Sequence, residues 1–174
     1  MALVSFTTNF GLSTSIKSGG GNTLGSGAKA LSVNATSVLQ QIGKDPTALN
    51  TTTMTRLKLE SAFKDFNSQD ISPAQLGLVS KNLADLGLID QTTANLFISA
   101  GTDLDKVGNQ KNPDVKINAM EFFAARITSL RTAKASGNYY AEHVIPDYKK
   151  AMYVLQNLDA FAKQGQAAAK HGKA

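Results

Sequence analysis

From residue 55 onward, apolar side chains return every three or four positions, and this spacing constrains the fold more than any other feature. Leu57, Leu59, Ala62, Phe63 and Phe66 make one such face, and Leu76, Val79, Leu83 and Leu86 make another. Met152, Leu155, Leu158 and Phe161 repeat it near the end of the chain. A period near 3.6 places each set on one side of a helix, where a half-buried strand would alternate. The punctuation agrees. Ser72-Pro73-Ala74-Gln75 reads as a helix start, with a serine cap, a proline at the first helical position and a glutamine able to complete a capping box. Gly87, Gly101 and Ser136-Gly137 read as stops, because glycine adopts the left-handed conformation that ends helices.

Asp90 should cap a short helix that buries Leu96, Phe97 and Ile98. Asn118 and Glu121 stand at capping-box spacing before a helix carrying Phe122, Phe123, Ile127 and Leu130. Tyr139, Tyr140 and Val144 precede Pro146, which should start or bend the last long helix. The expected fold is mainly α, a compact bundle of five or six helices.

Residues 1–54 differ in character. They are rich in Ser, Thr, Gly and Asn, and Asp45 is their only acid. Residues 18–27 have a flexible-linker composition. Val4, Phe6, Thr8 and Phe10 alternate with polar residues, the pattern of a short strand that must pair with something. Leu31, Val38, Leu39 and Ile42 suggest a helix ended by Gly43. The expected organisation is a flexible N-terminal arm over 1–54 with one strand and one helix, a helical domain over 55–165, and a basic flexible tail over 166–174.

Composition narrows the function. Arginine occurs only at Arg56, Arg126 and Arg131, too dispersed for a nucleic-acid patch despite the formal charge of +5. The chain has no cysteine, which removes disulfides, thiol catalysis and Cys-based zinc sites. No stretch approaches the ~20 apolar residues of a membrane span. No basic-then-apolar signal peptide is evident, so the expectation is secretion without a cleavable signal peptide, with a cytoplasmic location as the alternative. His143 and His171 are the only bases for neutral pH, and neither accompanies a nucleophile motif. The glycines near Asn22 lack the Gly-Lys-Ser/Thr of a phosphate loop. No enzyme is expected.

The stretch from Asp103 to Phe123 gathers oxygen ligands, and it resembles an EF-hand loop split by extra residues. Asp103, Asp105 and Gly108 match the first, third and sixth positions of that loop, and Ile117, Asn118 and Glu121 match the eighth, ninth and twelfth. Val107 stands where a third oxygen ligand belongs, and residues 109–115 are surplus to a standard loop. A reading that ends at Asp114 has the right length but puts Gln110 at the aliphatic position and Lys111 at a ligand position. Upstream, residues 63–87 resemble a second, shortened helix-loop-helix, with Ile71-Ser72 as its pairing strand. The resemblance, a degenerate EF-hand-like pair over about residues 57–130, implies pairing of the two loops. It also implies a candidate Ca²⁺ site at Asp103, Asp105, Asp114, Asn118 and Glu121. The same Asn118 and Glu121 serve equally as helix caps.

These features point to a non-catalytic protein–protein interaction protein of bacterial export type, whose partner is another protein or itself. A self-assembling subunit that donates the 4–10 strand is one alternative. A calcium-responsive binding module is the other.

Overall fold

Local chemistry fixes where the helices begin and end in the computed structural model, which describes residues 30–104 and 110–171. Helix α1 (Val33–Ile42) starts at Ser32, whose hydroxyl accepts from the Ala35 amide at 3.1 Å, and ends at Gly43 with φ of 76°. Helix α2 (Thr51–Arg56) is capped by Asn50, and α3 (Glu60–Phe63) follows at once. Helix α4 (Pro73–Asp85) carries the expected reciprocal capping box between Ser72 and Gln75. Asp90 caps α5 (Gln91–Ser99) by accepting from the Thr93 amide at 2.7 Å. A two-stranded antiparallel ribbon comes next, β1 (Asp103–Leu104) and β2 (Gln110–Lys111), with Asp103 opposite Lys111. Helices α6 (Ala119–Ala135) and α7 (Tyr139–His171) complete the chain.

The fold is mainly helical, as the spacing of apolar residues implies, with seven helices among the described residues. Three helices end in the same way. After α4 the Gly87 amide bonds the Ala84 carbonyl and the Leu88 amide bonds that of Leu83; after α6, Gly137 and Asn138 do the same to Lys134 and Ala133. These are Schellman closures with glycine at the left-handed position. The third closes α2, where Lys58 and Leu59 bond Thr55 and Met54, and here the left-handed residue is a lysine, φ 57°.

That closure corrects the expectation of one helix across Leu57 to Phe66. The chain turns at Lys58, Leu57 is left 46 % exposed, and of that set only Phe63 is buried. Two further points concern α7. Of the two roles expected for Pro146, starting the helix is excluded, because Pro146 lies inside it, lacking the amide that would bond the Glu142 carbonyl. The helix also continues through the segment expected to be a loose tail, to His171. Contact with α3 secures it as far as Gln166: a Cβ at Gly165 would lie 2.7 Å from the Glu60 carbonyl oxygen, and the Gln166 side-chain amide donates to the Lys64 carbonyl at 2.6 Å. In α5, Phe97 is buried but Ile98 is 50 % exposed, against expectation.

Helix α7 is the shared neighbour of α2, α3, α5 and α6, and α1 lies along α6. Met152, Leu155 and Leu158 are fully buried and Phe161 almost so, as their spacing requires. Each such side chain contributes roughly 1.5–3 kcal/mol by leaving water. Phe123 sits at the junction of three helices, edge-on to Phe97 at 5.8 Å and 6.0 Å from Tyr148. Ala35, Val38, Leu49 and Met54 belong to this same core, so packing runs straight across the change in composition near residue 54. The strand expected at 4–10, the linker at 18–27 and residues 172–174 lie outside the described residues.

Candidate functional site

Two loops meet side by side, one joining α3 to α4 and the other joining α5 to α6. Ile71 and Ile117 exchange both backbone bonds, Ile71 N to Ile117 O at 3.1 Å and Ile117 N to Ile71 O at 2.8 Å, as an antiparallel bridge. Two more backbone bonds flank it. The Ala74 amide, left without an intrahelical partner in the first turn of α4, donates to the Pro113 carbonyl at 3.0 Å. The Ala119 amide, equally orphaned at the start of α6, donates to the Ser68 carbonyl at 2.8 Å. Lys116 adds an ion pair to Asp70 at 2.6 Å across the same seam, though both side chains are about half exposed. Each loop thereby supplies an acceptor to the helix that follows the other.

A carboxylate beside each loop makes a pair of bonds to a distant serine. In the first, both oxygens of Asp159 on α7 accept from Ser68, one from its amide at 2.9 Å and one from its hydroxyl. Ser68 is fully buried. Burial pushes the Asp159 carboxyl above its ordinary value, outweighing the two Ser68 bonds and the nearby Lys163 charge that pull it down. In the second, both oxygens of Glu121 accept from Ser32, the residue that caps α1, one from its amide and one from its hydroxyl at 2.6 Å. Thr128 donates to Asn34 at 3.0 Å and Arg131 to Gln41 at 2.5 Å, so polar contacts secure α1 along α6 at both ends.

The five candidate calcium ligands fare differently. Glu121 is engaged with Ser32, and it does not reach back to complete a capping box with Asn118, because Ser32 offers it two donors at once. Asn118 does cap α6, its side-chain oxygen accepting from the Glu121 amide at 3.1 Å. Asp114 is exposed in the turn after β2, and Asp103 lies in β1. Asp105 and Gly108 lie outside the described residues. Among the described residues, no three His, Cys, Asp or Glu side chains are grouped so as to hold a metal ion.

Sequence reasoning missed Ser32, Ser68 and Asp159. Ser32 carries only the local signal of a helix cap, and nothing near Ser32 or Ser68 names a carboxylate 89 or 91 positions away. Asp159 did leave one. It falls on the apolar stripe of α7 between Leu155 and Ala162, where an unpaired acid would be costly. No helix among the described residues is long and apolar enough to cross a membrane. Comparison of the chain with protein-family models, with curated proteins and with solved structures finds no match.

Proposed function

We propose that this protein is a non-catalytic interaction module built on an EF-hand-like pair of helix-loop-helix units, and that it works as an exported protein. The observation that carries the reading is the Ile71–Ile117 bridge, which joins the two loops at the positions where such pairs join. Single apolar side chains are exposed on the second loop and on the helices next to the two loops. Leu78 on α4 is 58 % exposed, Ile98 on α5 50 %, and Val115 in the second loop 60 %. The Ala74–Pro113 bond holds the Val115 loop against the first turn of α4, one turn from Leu78. Apolar groups presented on joined helices and loops favour a protein partner. The export context rests on composition, namely an N-terminal third with Asp45 as its only acid and a chain without cysteine.

Photo-crosslinking residues placed at Leu78, Ile98 and Val115 in the cells that make the protein test this reading. A discrete adduct from these sites, absent from a crosslinker at the exposed polar Lys81, supports it. Equal labelling at all four positions removes it. Export is tested separately, by asking whether residues 1–54 carry a reporter protein out of the cell.

A calcium-responsive module is the second reading, favoured by the same bridge. In it Glu121 would exchange Ser32 for the ion, so binding would loosen the start of α1 while tying the second loop to α6. Thermal melts at millimolar Ca²⁺ decide it. A rise in Tm that Glu121→Gln abolishes supports the reading, and an unchanged Tm sinks it.

A further inference from the structure

We infer that residues 4–10 of this chain lie across the outer side of α4, between Ile98 and Val115, and so cover the surface that a partner would use.

The packing of α4 and α5 places the exposed apolar groups in one band. Ser80 donates to the Ala94 carbonyl at 2.8 Å, and a Cβ at Gly101 would come 3.1 Å from Pro73 Cγ, so the two helices run antiparallel. That register sets Gly77 opposite Phe97 and beside Ile98. Leu76, Val79, Ser80 and Leu83 turn into the core, which leaves Gly77, Leu78 and Lys81 on the outer side. At the start of α4 the Ala74–Pro113 bond brings in the loop that carries Val115, one turn before Leu78. A Cβ at Gly77 would meet nothing within 4 Å, so the ridge of α4 is low there, with Ile98 on one flank and Leu78 on the other. Glycine inside a helix is destabilising relative to alanine, and no contact among the described residues requires it at position 77.

The occupant follows from where the first 29 residues attach and from what they carry. Ser32 donates twice to Glu121 in the first turn of α6, so the residues before it depart beside that turn. Val115 stands six residues before Glu121, hence at most about 20 Å away. Residues 11–29 would span about 24 Å as a coil, which carries residues 4–10 to the low point of α4 from their own anchor. Such a tether holds them there at an effective concentration on the order of millimolar. Val4, Phe6 and Phe10 fall on one side of an extended segment about 20 Å long that contains no charge. A lone strand cannot bury that side by itself, whereas the gap over Gly77 admits an aromatic ring between Ile98 and Leu78. The inference rests on the reading of this surface as a partner site and adds its regulation: a partner must displace the arm before it binds.

The full chain has no cysteine, so Ser5→Cys takes a single nitroxide label whose paramagnetic broadening is read on the amide signals. The expected result in dilute protein is selective loss of signal at Gly77, Leu78, Ile98 and Val115, restored when Phe6→Ser and Phe10→Ser are added to the same chain. The amides of Val33 and Phe122, beside the point of attachment, should broaden alike in both. Absence of broadening at the four positions, or broadening that survives the double substitution, would overturn the proposal. Equal broadening with label and isotope on separate chains would give the surface to a second copy and overturn it as well. The isolated protein answers the question, so the result stands apart from crosslinking to a partner in cells.

Discussion

Asp159 accepts from both the amide and the hydroxyl of Ser68, a residue 91 positions earlier in the chain. The bond pair holds the first loop against α7, and through the Ser68 carbonyl it also reaches the first turn of α6. Asp159→Ala leaves a buried amide and hydroxyl without an acceptor. It should cost about 1.5–3 kcal/mol in urea unfolding. Asp159→Asn keeps one acceptor oxygen and removes a partly buried charge, so its loss should be smaller.

The same residue sets a pH signature. Its folded pKa lies above its ordinary value of 3.8, so the folded state holds that proton more tightly than the unfolded state does. The stability this contributes is full below the unfolded pKa and is lost as pH rises through the folded pKa. Asp45, Asp90 and Glu142 are shifted the other way, so their contribution is present at higher pH and disappears as pH falls through their folded values. Asp159→Asn retains those three and loses the opposing one. Unfolding free energies measured from about pH 3 to about pH 7 should therefore show the Asp159→Asn variant gaining on the wild type as pH rises. A constant difference would contradict the raised Asp159 pKa.

Ser32 both caps α1 and donates twice to Glu121, so Ser32→Ala removes a cap and a tether together. The cap alone is worth about 0.5–2 kcal/mol. Hydrogen exchange should accelerate along α1, while the amides of α7 stay protected. Uniform acceleration throughout the molecule would mean that α1 does not open by itself.

Gly77 and Gly165 both lie inside helices, yet replacing them by alanine should have opposite signs. A Cβ at Gly77 meets nothing within 4 Å, so the better helix former should stabilise by about 0.5–1 kcal/mol. At Gly165 the same atom would sit 2.7 Å from the Glu60 carbonyl oxygen, a backbone atom that moves only if α3 moves. Gly165→Ala should lower the melting temperature.

Lys58 occupies a left-handed position that costs a residue with a Cβ about 1–2 kcal/mol relative to glycine. Lys58→Gly should raise stability by up to about 1 kcal/mol, once the greater freedom of glycine in the unfolded chain is subtracted. Unchanged or lower stability in urea titration would show that the lysine side chain makes a compensating contact.

The contrast between Lys58 and Gly87 explains what the sequence could reveal. Both residues make the same helix closure, but only glycine advertises it, so the end of α4 was legible and the end of α2 was not. Ser72 with Gln75, and Asp90 with Thr93, were legible because a cap is complete within four residues. The pairing of Ile71 with Ile117 was readable only by way of the EF-hand resemblance, since spacing alone says nothing of which loops meet. Glu121 reads as a calcium ligand or as part of a helix cap, whereas its partner is Ser32, 89 positions away, whose cap pattern says nothing of a second task. Pro146 left two roles open, and only packing chose between them, because a helix packed on four others can carry a proline in its interior.

The position of α7 bears on how the chain behaves while it is being made. A ribosome releases α2, α3, α5 and α6 before the helix against which all of them pack. Until α7 emerges the earlier helices lack that shared partner, and they rest on the α1–α6 and α4–α5 contacts and on the joined loops at Ile71 and Ile117. A core that waits on α7 leaves the apolar faces of those helices without their cover, and open to a chaperone, until α7 is made.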